Sequence, residues 1–287
     1  MYWIHTITPL HVGAGRGIGF IDLPIAREKI TNWPLVPGSA VKGVWKSHFE
    51  GRSGSAPFVA AFGRATGERD EDRAGSLVLT DARIVLLPIR SFFGTFAYAT
   101  SPMALRRLSG DLAASGVAGR PAIPTLPEGA AQIGAGSALT SNGRVFFEDL
   151  DFAATETAEA TGWADFLAKE LFHGDAASAS LFKARFVVLS DDSFNFLCES
   201  ATEVNARIRI EDDKKIVARG ALWYEESLPC ETVLAGLAWC DQVYGVPGVT
   251  PAEVLEAVCG QPINCQIGGK ASVGKGRVRC VFTGKEA

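Results

Sequence analysis

The chain has 287 residues, of which 47% are hydrophobic and 21% charged, with a formal net charge of −4. That is enough apolar material for one large core, and it excludes a disordered tail. The acidic balance excludes a broad basic face for nucleic acid, so any such site must be a local patch supported by neighbouring copies.

In chain order, Tyr2 to Thr8 reads as a strand, rich in aromatic and β-branched residues. It ends at Pro9 and a loop from Gly13 to Gly19 in which every second residue is glycine. Phe20 to Ile25 is a short extended piece. Ser39 is the expected N-cap of a helix from Ala40 to Phe49, with Val41, Val44, Trp45, His48 and Phe49 on one face and Lys42 and Lys46 on another. Residues 51–75 are an exposed, charged excursion, and Ser76 to Ile89 is a strand. Pro102 to Leu112 is a helix, and 114–142, rich in Gly, Ala, Pro and Ser, is a long loop or insertion. Then follow a helix over 161–172, a strand over 183–189 and a helix opened by Ser190. Two strands, 206–211 and 216–224, are joined through Asp212-Asp-Lys-Lys215, a hairpin signal. Helices at 232–244 and 251–259 and a closing strand at 277–282 complete an α+β chain with no strict βαβ alternation. It reads as one domain over 1–287 with insertions near 51–75 and 111–160. Six cysteines lack any Cys-x-x-Cys pair; this argues against zinc and for thiols in a reducing compartment. No signal peptide or membrane span is found, so a cytoplasmic protein with no membrane partner is expected.

Several clusters carry chemistry. In Pro37-Gly-Ser-Ala-Val-Lys-Gly43 a helix start, the Ser39 hydroxyl and Lys42 would converge on one phosphate, though the Walker A spacing is missing and an ordinary strand-to-helix turn has the same look. Gly268, Gly269, Gly274 and Gly276, interleaved with Lys270, Ser272 and Lys275, make a nest suited to a ribose–phosphate backbone, or a plain surface loop. Gly13 and Gly15 let backbone approach a ligand in the same way. Asp22 lies between the two N-terminal glycine turns, where it would position a ribose 2′-hydroxyl or hold a hydrated metal ion, or be an exposed loop acid. Glu225 and Glu226 end a strand, so only one can face a given pocket. His11 fits acid–base chemistry, base stacking or a structural role. Arg90 with Phe92 and Phe93 pairs a cation with aromatics, as phosphate-plus-base binding needs. Arg207 and Arg209 share one strand face.

The order of these clusters resembles the RAMP superfamily of CRISPR proteins, and within it the backbone, target-cleaving subunits of type III-B (Cmr) effector complexes. The matching stretches are His11-Val-Gly-Ala-Gly15, Ile21-Asp-Leu-Pro-Ile25, Val36 to Gly43, Leu79-Thr-Asp-Ala-Arg83, Pro88-Ile-Arg-Ser91, Ile208-Arg-Ile210, Gly220 to Glu226 with Leu228-Pro229, Gly268-Gly-Lys270 and Val273-Gly-Lys-Gly276. The resemblance implies a ferredoxin-like (RRM-like) core with a protruding β-hairpin thumb, for which 64–75 and 114–142 are the candidate segments. It implies copies stacked along a crRNA, a target single-stranded RNA, and other effector subunits as partners. The guide backbone would be held by the glycine loops with Ser39, Lys42, Lys46 and Arg90. Asp22 would cut the paired target, with Glu225, Glu226 or His11 assisting. Mg²⁺ or Mn²⁺ would bind at Asp22 only together with RNA. Ser227 departs from the pattern, which has a bulkier, often aromatic residue there. The alternative is a structural crRNA-binding subunit with no cleavage.

Overall fold

The computed structural model describes residues 1–15, 17, 19–52, 54–63, 74–211 and 217–284. The strands are β1 (Tyr2–Thr6), β2 (Leu35–Val36), β3 (Val78–Leu79), β4 (Ala82–Arg90), β5 (Phe96–Thr100), β6 (Ala130–Ile133), β7 (Thr140–Ser141), β8 (Arg144–Phe147), β9 (Leu150–Glu156), β10 (Phe186–Leu189), β11 (Glu203–Ile210), β12 (Val217–Ser227), β13 (Val233–Gly236), β14 (Ala238–Trp239), β15 (Ile263–Gln266) and β16 (Arg277–Phe282). The helices are α1 (Gly38–His48), α2 (Ala56–Phe62), α3 (Pro102–Ala114), α4 (Ala158–Leu171), α5 (Ala176–Ala184), α6 (Asp191–Ser200) and α7 (Pro251–Cys259).

One large mixed sheet organises the chain, in the order β15-β16-β1-β13-β4-β5-β10-β6-β9-β8-β7, with β2 beside β4. All five residues of β1 are buried because both faces of the sheet are covered. Alternation along the strand sends Tyr2 and Ile4 into one core, with Trp45 of α1, Phe194 of α6 and Val254 of α7. Trp3 goes to the other, with Leu108 of α3, Trp163 of α4 and Phe182 of α5; a period of two requires that split. Two small sheets stand apart, the pair β3–β14 and the ribbon β11–β12.

Several expectations need correcting. Residues 232–244 are not a helix: Val233–Gly236 is a strand between β1 and β4. An apolar run buried on both faces has no alternation to separate it from a buried helix. The 114–142 stretch is not a plain loop, since it holds β6 and β7, and residues 111–160 add four strands to the main sheet. Ser39 does not cap α1. The helix begins two residues earlier than expected, Pro37 stands at its N-cap with no side-chain bond, and the Gly38 N–H donates to Asp81 Oδ1 at 2.8 Å. Residues 64–73 of the charged excursion and the Asp212–Lys215 turn lie outside the described residues. Among the described residues, no helix is long and apolar enough to cross a membrane.

Candidate active site

Three segments that are far apart in sequence meet at the last residues of β12. Gly13 and Ile25 form an antiparallel bridge, and Ala14 N–H donates to Pro24 O while Ala26 N–H donates to Val12 O, so the first glycine turn is zipped to the segment after Asp22. That segment runs parallel to β12 at Leu23 and Glu225, with Leu23 N–H donating to Tyr224 O and Glu226 N–H to Leu23 O. The β15–β16 turn closes from the other side, where Gly269 N–H donates to His11 O and Gly276 N–H to Pro9 O. Gly268 has φ +78°, and a Cβ there would lie 2.3 Å from His11 O. Only glycine allows the turn to approach this closely.

The three acids divide sharply. Asp22 is exposed, and its Oδ2 accepts from Tyr224 N–H at 2.8 Å. Glu225 and Glu226 are both 2% exposed, on opposite faces of β12. Glu225 Oε1 accepts from Lys270 Nζ at 2.6 Å and from Trp223 Nε1 at 2.7 Å, and Arg207 stands 3.5 Å from Oε2. Burial opposes its charge, but the Lys270 ammonium, the Trp223 indole and Arg207 outweigh that and hold its pKa down at about 2. A carboxylate so acidic is a poor proton acceptor near neutrality. Glu226 accepts from Arg27 Nη2 at 2.5 Å, Thr202 Oγ1 at 2.9 Å and Ile25 N–H at 3.0 Å. Glu226 is thus committed to holding loops, whereas Glu225 has Oε1 filled and its buried Oε2 without a hydrogen bond. His11 is buried, and its Nδ1 donates to the Glu226 backbone carbonyl at 2.6 Å; the carbonyl can only accept, so Nδ1 carries the proton.

The second cation of the C-terminal turn, Lys275, is 5% exposed and donates to Ser227 Oγ at 2.6 Å. This explains the small residue at 227: an aromatic side chain would occupy the space that the ammonium fills. Burial lowers the Lys275 pKa, with Glu225 pulling the other way. Of the two lysines, Lys270 keeps the more surface, and it stands at φ 65°, outside ordinary L-residue geometry.

The remaining expected residues lie elsewhere. Lys42 Nζ donates to Leu77 O at 2.6 Å, and with Asp81 at the helix start the convergence of Ser39, Lys42 and free N–H groups on one anion is not formed. Burial, then Lys46, lowers the Lys42 pKa. A Cβ at Gly38 would lie 2.5 Å from Leu79 O, so that glycine serves packing against 79–80. Arg90, at the far end of β4, pairs loosely with Glu148 at 3.4 Å. It adjoins a groove of about 610 Å³ lined by Phe92, Phe93, Phe146 and Leu150. Arg27 and Thr202 were not foreseen; only their contact with Glu226 reveals them.

Asp22 offers hard oxygen but stands alone. Among the described residues, no three His, Cys, Asp or Glu side chains come together in a way that could hold a metal. A resident metal does not fit this donor set.

A model of the RAMP superfamily matches residues 3–279. The chain belongs to the RAMP superfamily. A Pyrococcus furiosus relative of this RAMP protein, the CRISPR system Cmr endoribonuclease Cmr4, is 33% identical over 96% of this chain and 92% of its own. The crystal structure of oligomeric Cmr4 from Pyrococcus furiosus superposes with TM-score 0.72 at 26% identity, over 98% of this chain and 96% of that one. A chain in the cryo-EM structure of the type III-B Cmr-beta complex bound to cognate target RNA shares the fold, with TM-score 0.75 at 20% identity over 98% and 95% of the two chains.

Proposed function

We propose that this RAMP protein is the backbone subunit of a type III-B CRISPR effector complex, and that it binds crRNA in a filament of copies and cuts complementary target RNA at regular intervals. The observation that carries the reading is the isolation of Asp22. It is the one exposed acid of the three, held by Tyr224 N–H at the point where the two glycine turns meet β12. Likeness to Cmr4, which is named an endoribonuclease, supports the same reading. The ferredoxin-like core corresponds to the strands around β1 with their flanking helices. Because β6 and β7 put 114–142 into the main sheet, and 64–73 lie outside the described residues, we assign the thumb instead to the β11–β12 ribbon, which stands outside that sheet and exposes Ile208, Ile210 and Leu222. The guide backbone lies along the glycine turns, Lys270 and the half-buried Arg207 on the ribbon. Other effector subunits and further copies complete the groove, which fits a chain whose net charge is acidic and whose RNA contact is local.

The chemistry is a transfer within the target strand. At an unstacked nucleotide the ribose 2′-oxygen attacks its own phosphorus. Asp22 accepts the 2′-hydroxyl proton, the P–O5′ bond breaks, and the leaving oxygen takes up a proton from water. The products are a 2′,3′-cyclic phosphate and a 5′-hydroxyl. Neither glutamate donates or accepts a proton: Glu225 is held ionised and Glu226 has its oxygens filled by donors. Alternatively, Asp22 would hold a hydrated Mg²⁺ or Mn²⁺ brought in with the RNA, and that cation would supply charge stabilisation at the phosphate in place of proton acceptance by the carboxylate.

Complex assembled with guide RNA is incubated with matched target RNA and divalent metal. Wild type cuts at regular spacing, and Asp22→Ala assembles but leaves the target whole. Intact target with the wild-type complex would make the chain a structural crRNA-binding subunit. Cutting by Asp22→Ala at the wild-type rate would remove Asp22 from the chemistry.

A further inference from the structure

We propose that Arg27 and Glu226 are positioning residues that hold Asp22 in register with the ribbon; this rests on the cleavage reading above. Asp22 sits on a segment with no regular element of its own, tied to β12 through one backbone pairing at Leu23 and through its own carboxylate. Something must stop that segment sliding along the strand, because proton abstraction needs a heavy-atom distance of about 3 Å.

The Glu226 carboxylate adds a side-chain stop to the backbone pairing with residues 12–14. Oε2 accepts from the Ile25 N–H, three residues beyond Asp22, and Oε1 accepts from Arg27 and from Thr202. Arg27 in turn reaches two more segments: its Nη1 donates to Asn32 O at 2.8 Å and to Cys198 O at 2.9 Å, at the end of α6. The guanidinium fork is suited to this, since its donors are fixed in one plane and lysine cannot copy them. The side chains of the pair are 15% and 3% exposed, so water does little to loosen them. Glu226 also holds the opposite turn through its main chain, whose carbonyl accepts from His11 Nδ1. One residue therefore fixes the first glycine turn, the Asp22 segment and the base of the ribbon. Arg27 and Glu226 line a cavity with Ala14, Ile21 and Pro24, but their polar atoms are spent on protein partners, so they act through the Asp22 segment.

The test uses the assembled guide-RNA complex under single-turnover conditions. Arg27→Ala should lower the cleavage rate by about 30- to 100-fold, the scale of a misplacement of about 1 Å. The target concentration at half-saturation should stay within twofold, and the pH profile should keep its shape. Added guanidinium ion should restore part of the rate to Arg27→Ala and none to Asp22→Ala. Arg27→Lys and Thr202→Val, which keep the fold's volume, should lose less, and they decide the matter if Arg27→Ala fails to assemble. A wild-type rate in Arg27→Ala, or in both milder variants should Arg27→Ala fail to assemble, overturns the proposal. So does a Glu226→Gln profile that loses one limb, which would make Glu226 a proton carrier. If the wild-type complex itself does not cut, it is the cleavage reading that fails.

Discussion

Replacing Glu225 by glutamine tests the electrostatics of the ribbon base. In the folded chain this carboxyl ionises at about 2 against an ordinary 4.5, a difference that corresponds to about 3 kcal/mol of preference for the charged form. Its partners are partly in water, Lys270 at 30% and Arg207 at 40% exposure, and solvated cations recover part of the loss, so the expected cost near neutrality is about 1–2 kcal/mol. The sign in pH follows from the lowered value. The contribution is complete above about pH 4.5 and is lost as pH falls toward about 2, because the unfolded chain takes up the proton first. Urea unfolding of RNA-free protein measures this at pH 7 and again near pH 3.5. Glu225→Gln should be less stable at pH 7, and the gap to wild type should narrow on acidification. A gap that is absent at pH 7, or that widens in acid, refutes the assignment of Glu225 as a buried, ionised clamp.

Two further outcomes follow from the turns. Gly268→Ala must place a methyl 2.3 Å from His11 O at φ +78°, at a backbone cost of about 1–2 kcal/mol before any steric shift; its Tm should fall by several degrees. Gly269→Ala, whose methyl meets nothing closer than His11 Cδ2 at 3.5 Å, should melt close to wild type. Chelation of divalent ions should leave the Tm of RNA-free protein unchanged, because no closed ligand cage is present among the described residues, while target cutting by the assembled complex should stop; thermal melting and a cleavage gel with and without EDTA check both halves.

The parts of the site that could be read from sequence were those with local signals. Glycines spaced through 13–19 and 268–276 marked two turns, and Asp22 stood out as the acid between them. Alternation along a strand separated Glu225 from Glu226, and the structure places them on opposite faces. What could not be read were long-range partnerships. Asp81 lies 43 residues from Gly38, and no pattern near Pro37 shows that a carboxylate fills the helix start. Nor does adjacency of two glutamates reveal that Lys270 and Arg27 have already claimed them. The misreading of 232–244 has a related cause. Val233 to Gly236 is covered by β1 on one side, by β4 on the other and by helices on both faces, so burial removed the period that would have marked a strand.

The topology also sets an order of assembly. β1 is hydrogen-bonded to β16, pairing Tyr2 with Phe282 and Thr6 with Val278, so this edge of the sheet is complete only when two strands far apart in the chain have met. Until then β1 lacks a neighbour on one edge, and the His11 carbonyl lacks the Gly269 amide that anchors the C-terminal turn. The pocket around Asp22 therefore closes only after β16 has docked and brought its turn to His11. A chain broken off before residue 263 would keep its acid but have no turn to seat against His11.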